Sequence, residues 1–242
     1  MELVAAPERA IARGKKEAPW KVMIYGTPGC GKSTWAAHAP NPFFLDLEAG
    51  LNRIECDRTP TRLTTYDEVM DWLKWFYTSS YQTLVVDTLD ELDNILTAKV
   101  CKAHNKETLV DFGYGKGGEL LVSEWVKILV ILEAIRAHGK NVLLIGHETI
   151  VKFEDPTAEN YDKYQLKIHK KSAQVVTAKM DAVFFARYEA VLKERAGTEK
   201  FRAVGTGRRV LHCAERPCWV AKNRFGLPDE VEMSAKVFEL LK

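Results

Sequence analysis

The stretch Gly26-Thr27-Pro28-Gly29-Cys30-Gly31-Lys32-Ser33 fits the pattern GxxxxGK(S/T). Before it, Trp20-Lys21-Val22-Met23-Ile24-Tyr25 reads as a short apolar strand; after it, Ser33-Thr34-Trp35-Ala36-Ala37-His38 reads as a helix. Strand, glycine loop and helix in that order make a phosphate cradle. The glycines let the backbone turn its N–H groups inward, and the helix start adds partial positive charge. Lys32 is placed to reach the β and γ oxygens of a triphosphate, and Ser33 to offer its hydroxyl to Mg²⁺. Residues 26–34, Thr34 included, are therefore expected to hold ATP. The competing reading is a glycine turn that fits the pattern by chance, and the flanking strand and helix argue against it.

Working outward, 242 residues suffice for one large α/β domain with one core. The formal charge of +2 is near neutral, so a nucleic-acid partner has to be argued from local patches. Five cysteines, at 30, 56, 101, 213 and 218, form no disulfide framework and suggest a reducing cytoplasm. Cys213 and Cys218 beside His212 would make half a metal site, but no second pair follows at zinc spacing. The longest apolar run, 126–135, is interrupted by Lys127 and Glu133, and nothing at the amino terminus looks like a signal, so no membrane partner is expected. Residues 1–18 read as an arm, frayed or docked on a neighbouring subunit, and 19–242 as one domain.

Residues 42–48 read as a second strand ending in Asp46 and Glu48, and 66–77 as a helix with Thr65 or Asp67 as its N-cap. Residues 82–87 form a continuous apolar run of the kind buried in parallel sheets, helices are expected at 88–105 and 119–138, and 141–147 is another buried strand. Strands alternating with helices predict a doubly wound, mostly parallel sheet with ligands at the carboxyl ends of the strands. From 148 to 168 the chain is polar without clear period, which reads as a long loop. Short strands are expected over 181–221, with Gly205-Thr206-Gly207 as a hairpin turn, giving a β-rich extension.

Asp87 closes the 82–87 strand and occupies the place of the Walker B aspartate, which with Ser33 would hold Mg²⁺. Thr88 follows it, so the water-activating glutamate that AAA+ ATPases usually put next to that aspartate is absent. A base must come from elsewhere. Glu48 is the better candidate and Asp46, two residues earlier on the same strand face, is its rival. The bland alternative for both is an acidic strand end.

The phosphate loop, the Asp46-Leu47-Glu48 strand end, Asp87-Thr88 and the strand ending Gly146-His147 resemble, in this order, the core of RecA-like ATPases. More closely, residues 19–242 look like the phage-encoded RecA-like proteins of the Sak group, which are linked to single-strand annealing and recombination. The resemblance implies that His147, where RecA has a glutamine, senses the γ-phosphate; an ordinary hydrogen-bonded histidine is the plainer reading. Ala221-Lys222-Asn223-Arg224-Phe225-Gly226-Leu227-Pro228 is similar to the AKxRxGxP segment of RecA-like replicative helicases, in which the Lys and Arg reach a neighbour's γ-phosphate. Such a guanidinium neutralises transition-state charge and couples hydrolysis to assembly. A basic turn is the alternative.

Tyr161, Lys163, Tyr164, Lys167, His169, Lys170 and Lys171 interleave aromatic and basic residues where RecA-like proteins carry a DNA-binding loop. Residues 112–118, with Tyr114 and Lys116 among four glycines, are a second mobile candidate. A run of charges is also what any solvated face shows. Together the expectations are an ATP- and Mg²⁺-dependent ATPase, a ring or filament of identical subunits with ATP at their interfaces, and single-stranded DNA as partner in phage-type recombination. The rivals are a nucleotide-gated annealing protein with little hydrolysis, a small helicase-like motor, and a small-molecule kinase, for which no arginine-rich lid is evident.

Overall fold

The computed structural model describes residues 13–14, 17–154, 159–194 and 201–241. Most of the expected arm lies outside them. The element order is β1 (Lys21–Gly26), α1 (Lys32–Ala36), β2 (Pro42–Asp46), β3 (Asp57–Arg58), α2 (Tyr66–Thr78), β4 (Thr83–Asp87), α3 (Leu89–Ala103), a 3-10 turn at Leu109–Phe112, and α4 (Lys116–Ala137). It continues with β5 (Asn141–Phe153), β6 (Tyr161–Leu166), α5 (Lys170–Lys179), β7 (Ala182–Glu194), β8 (Phe201–His212), β9 (Lys222–Asn223), β10 (Glu230–Glu232) and α6 (Val237–Leu240).

The sheet runs β10-β8-β7-β1-β5-β4-β2-β3, and β7 through β3 are mutually parallel. β8 and β10 extend it antiparallel at the β7 edge, so the fold is a mostly parallel α/β sheet with a β-rich carboxyl-terminal extension. β5 lies between β1 and β4, which sets the phosphate loop and Asp87 at the same sheet edge, one strand apart. The central strands alternate between two covered faces. Met23, Tyr25, Val183 and Phe185 join the core under α2, α3, α4 and α5. Val22, Ile24, Phe184 and Ala186 join the other, where Phe238 of α6 stacks on Trp35 of α1 at 4.3 Å and on Trp20 at 5.9 Å. Burial on both faces is why these strands read as unbroken apolar runs.

Local sequence explains the helix ends. Thr65 caps α2 through a capping box with Glu68, as one of the two candidates predicted. At the other end the buried Lys140 ammonium donates to the carbonyls of Phe76 and Ser79, at 2.9 and 2.6 Å, and supplies positive charge to the helix carboxyl terminus. Buried Asp93 on α3 accepts from Trp125 Nε1 of α4 at 2.6 Å and from the His169 N–H at 3.1 Å, which fixes where α5 begins.

Three expectations are corrected. Residues 148–168 are no long loop: β5 continues to Phe153 and forms an antiparallel ladder with β6, Glu148 opposite Leu166 through Phe153 opposite Tyr161. The strands are half-exposed, so their faces carry no clean apolar alternation. Gly205-Thr206-Gly207 is no hairpin turn, because β8 runs through it, pairing with β7 as far as Phe201 opposite Glu194. An irregularity between Tyr188 and Ala190 takes up the strain, and Gly207 sits at φ +80. Residues 112–118 are not a free loop either. Lys116, Gly117 and Gly118 form the first turn of α4, and both glycines are buried. A Cβ at Gly117 would come within 2.4 Å of the Leu109 carbonyl oxygen, and one at Gly118 within 2.6 Å of the His169 ring. Those glycines are there for close packing.

Candidate nucleotide site

The phosphate loop leaves β1 at Gly26, whose φ of +153 and contact with β7 exclude a side chain: a Cβ there would lie 1.9 Å from the Ala186 carbonyl oxygen. Lys32 opens α1 and is buried, its Nζ donating to the carbonyls of Gly26 at 2.8 Å and Thr27 at 3.0 Å. The ammonium therefore closes the loop on itself. Pro28 and Gly29 are exposed and Cys30 is buried, so the loop turns its middle outward and anchors its far side in the core.

Asp87 ends β4 directly opposite Asp46 at the end of β2. Ser33 lies close enough to the Asp87 carboxyl to act on its proton affinity. Burial pushes the Asp87 carboxyl up to about 6, helped by the negative charges of Glu48 and Asp46 and opposed by Ser33 and Lys32.

Asp46 and Glu48 stand in different surroundings. Asp46 is buried and its Oδ1 accepts the Ala49 N–H at 2.7 Å, closing the turn in which Ala49 takes φ +63. Glu48 lies in that turn, two residues beyond the end of β2, and is exposed. The turn is pinned on both sides, by the Leu47 N–H donating to the Asp87 carbonyl at 2.7 Å and by Arg62 Nε donating to the Leu47 carbonyl at 2.8 Å. Asp46 thus shapes the turn that carries Glu48.

His147 stands beside Gly26 in the β1–β5 register, at the loop, though β5 does not end there. Its Nδ1 lies 3.0 and 3.2 Å from the two carboxylate oxygens of Asp90 on α3. The Asp90 hydrogen bond holds the imidazole above the ordinary histidine value against the opposing effect of burial, and Lys32 and Glu48 both act on it through space. Although burial alone would raise Asp90, the His147 hydrogen bond and charge bring it below the usual carboxylate range.

Lys222 and Arg224 are not part of this constellation. β9 pairs with the start of β7, Lys222 opposite Val183, and Val183 is opposite Met23. That is the amino-terminal edge of the sheet, roughly 10 Å along the strand from Gly26. There Lys222 Nζ donates to the Ala178 carbonyl at 2.9 Å, and the exposed Arg224 guanidinium lies 3.4 Å from Asp181.

The basic residues near the hairpin divide. Lys163 is tied to Glu215 at 2.9 Å and largely covered, and Lys171 to Glu119 at 3.3 Å; Lys167 and Lys170 are exposed, as are Tyr114 and Lys116 at the start of α4. Lys170 and Lys171 form the first turn of α5 rather than a loop. Two loop contacts had no sequence signal. Tyr188 donates its hydroxyl to the Gly29 carbonyl at 3.4 Å, and the Arg209 guanidinium lies against Gly31. Both are brought there by the long β7–β8 ladder.

Ser33 and Asp87 supply hard oxygen donors suited to Mg²⁺. Among the described residues no group of three or more His, Cys, Asp and Glu side chains converges as a metal cage, and the five cysteines are unpaired. An ion held mainly by one hydroxyl, one carboxylate and phosphate oxygens needs no such cage. Among the described residues no helix is long and apolar enough to cross a membrane.

Among solved structures, the flagellar accessory protein FlaH from Methanocaldococcus jannaschii aligns over 89% of this chain and 84% of its own, at 8% identity and a TM-score of 0.42. No curated protein matches the chain. The family described as AAA domain matches residues 18–225, from the residues before β1 to the Lys222 and Arg224 segment. With that span of the sequence matched, the chain belongs to the AAA domain family.

Proposed function

We propose that this chain binds and hydrolyses ATP with Mg²⁺ at interfaces between identical subunits, and acts on single-stranded DNA in phage-type recombination or annealing. One observation carries the reading. The phosphate loop, Asp87 and Glu48 gather at one sheet edge, while the half-buried Lys222 and the exposed Arg224 lie at the opposite edge, out of reach of their own loop. In a head-to-tail assembly, basic residues so placed would serve a neighbour's site.

Within one subunit, Lys32 would meet the β and γ oxygens, and Ser33 and Asp87 would hold the metal. Bound Mg²⁺ neutralises charge between those oxygens. Glu48, exposed on a pinned turn, orients and deprotonates the attacking water. His147, fixed by Asp90 beside the loop, reads the terminal phosphate. Single-stranded DNA would run along the exposed Lys167 and Lys170 and the Tyr114 and Lys116 corner, held through phosphates and stacking rather than by sequence.

Steady-state ATP turnover with and without single-stranded DNA tests the reading. DNA-stimulated turnover is expected. ATP-dependent DNA binding with no turnover would leave the nucleotide-gated annealing protein, and absence of ATP binding would refute both.

A further inference from the structure

We propose that Arg209 is a nucleotide-binding residue supplied in cis, its guanidinium on β8 contacting the phosphates held by the loop at Gly29, Cys30 and Gly31. The proposal rests on the triphosphate reading of that loop and adds to it a second cation from the same chain.

The first observation is steric. Gly31 is the N-cap of α1, at φ +89. A glycine at such a position lets phosphate oxygens approach the helix start with no side chain between. A Cβ built at Gly31 would meet Arg209 first, at 2.3 Å from Nη1, 3.5 Å from Cζ and 3.8 Å from Cδ. The room that the glycine keeps open is thus reached by a guanidinium.

The second is anchorage. The Arg209 carbonyl accepts the Met233 N–H at 2.9 Å, and the next residue, Val210, is fully buried. Arg209 stands opposite Tyr188, whose hydroxyl donates to the Gly29 carbonyl, and two residues before Tyr188 the Ala186 carbonyl lies 3.8 Å from Cys30 Sγ. β7 and β8 therefore follow the loop along its length. That ladder sets the backbone of Arg209, from which its exposed side chain reaches the loop.

The third is charge. Its neighbour Arg208 is paired, 3.6 Å from Glu189 and 3.6 Å from Glu230. Among the described residues no carboxylate lies within ion-pair distance of Arg209, although it sits on the same loop that Lys32 already makes positive. Two cations converging on backbone N–H groups repel each other until an anion joins them. A planar guanidinium with parallel N–H groups is the side chain best matched to phosphate oxygens. The ligand class is the polyphosphate of a nucleoside di- or triphosphate.

This arginine has a different task from Arg224. Arg209 acts within one subunit and sets affinity; Arg224 would act across an interface and set turnover.

The test is titration of fluorescent N-methylanthraniloyl ATP and ADP, with Mg²⁺, into the wild-type chain and the Arg209→Ala, Arg209→Gln, Arg209→Lys and Lys32→Ala variants, with nucleotide-free melting of each. Loss of about tenfold or more in affinity for both nucleotides is expected in R209A, with partial recovery in R209K and an unchanged nucleotide-free melting temperature. If R209A melts lower, R209Q, which retains length and a polar end, decides by the same affinity criterion. Wild-type affinity in R209A and R209Q, with binding lost in K32A, would overturn the role of Arg209 and leave the triphosphate site standing. Tighter binding in those variants would also overturn it, since the guanidinium would then be a competitor of the phosphates. A wild-type chain that binds neither nucleotide would overturn the triphosphate reading itself.

Discussion

His147 and Asp90 face each other across β5 and α3 at 3.0 Å, and each moves the other's proton affinity in the direction of an ion pair. The folded imidazole titrates above its unfolded value, so the pair's contribution to stability is complete below about pH 6.5 and is lost as pH rises through the folded value. The difference in melting temperature between wild type and His147→Gln should therefore shrink as pH is raised across that range. A difference independent of pH would show that the ring is held by shape alone. NMR titration should place the wild-type imidazole above the ordinary value, and Asp90→Asn, leaving burial and Lys32 to act, should take it below that value.

Asp87 titrates at about 6, so the carboxylate needed for Mg²⁺ is half-formed there. Mg²⁺-dependent ATP affinity should fall as pH drops through 6, approaching tenfold per unit well below it, and Asp87→Asn should lose the metal dependence. Without metal the sign reverses for stability. The folded carboxyl keeps a proton that the unfolded chain releases from about pH 4, so stability declines as pH rises from about 4 to 6. Calorimetry across that window, with and without Mg²⁺, checks both.

Glu48→Gln should retain ATP binding while turnover falls by roughly a hundredfold or more, the usual loss on removing a general base. Asp46→Ala should act differently, by stranding the Ala49 N–H and lowering stability by about 1–3 kcal/mol. Single-turnover hydrolysis and thermal melting separate the two. Full turnover in Glu48→Gln would transfer the base to Asp46.

Arg224→Ala should leave the melting temperature nearly unchanged, because the Arg224 end of its 3.4 Å contact with Asp181 is exposed and Asp181 keeps Arg136 as a second partner. Turnover should nevertheless fall. Mixing it with Lys32→Ala should restore part of the activity, since some interfaces then pair an intact loop with an intact Arg224. No restoration at any mixing ratio would remove the role in trans.

Much of the phosphate edge was legible because its signals are local. Gly26 to Ser33 is one contiguous motif, Asp87 closes an apolar run, and Thr65 with Glu68 is a three-residue capping pattern. The β5–β6 ladder was not legible, since Lys152, Asp162 and Lys163 give its strands the composition of a solvated loop. Gly207 resembled a turn because a bulge and a turn call on the same positive φ. Arg209 carries no signal at all: its contact with Gly31 exists only after the β7–β8 ladder has closed.

β5 holds His147 beside the loop and, six residues on, Phe153 opposite Tyr161 in the ladder with β6. An extended strand can bend but cannot be stretched, so these points are joined by a rod of about 20 Å. A shift of the strand backbone at His147 would be carried along that rod to its outer end, whereas rotation of the side chain alone would not. The hairpin is in that sense a pointer whose pivot lies at the phosphate loop.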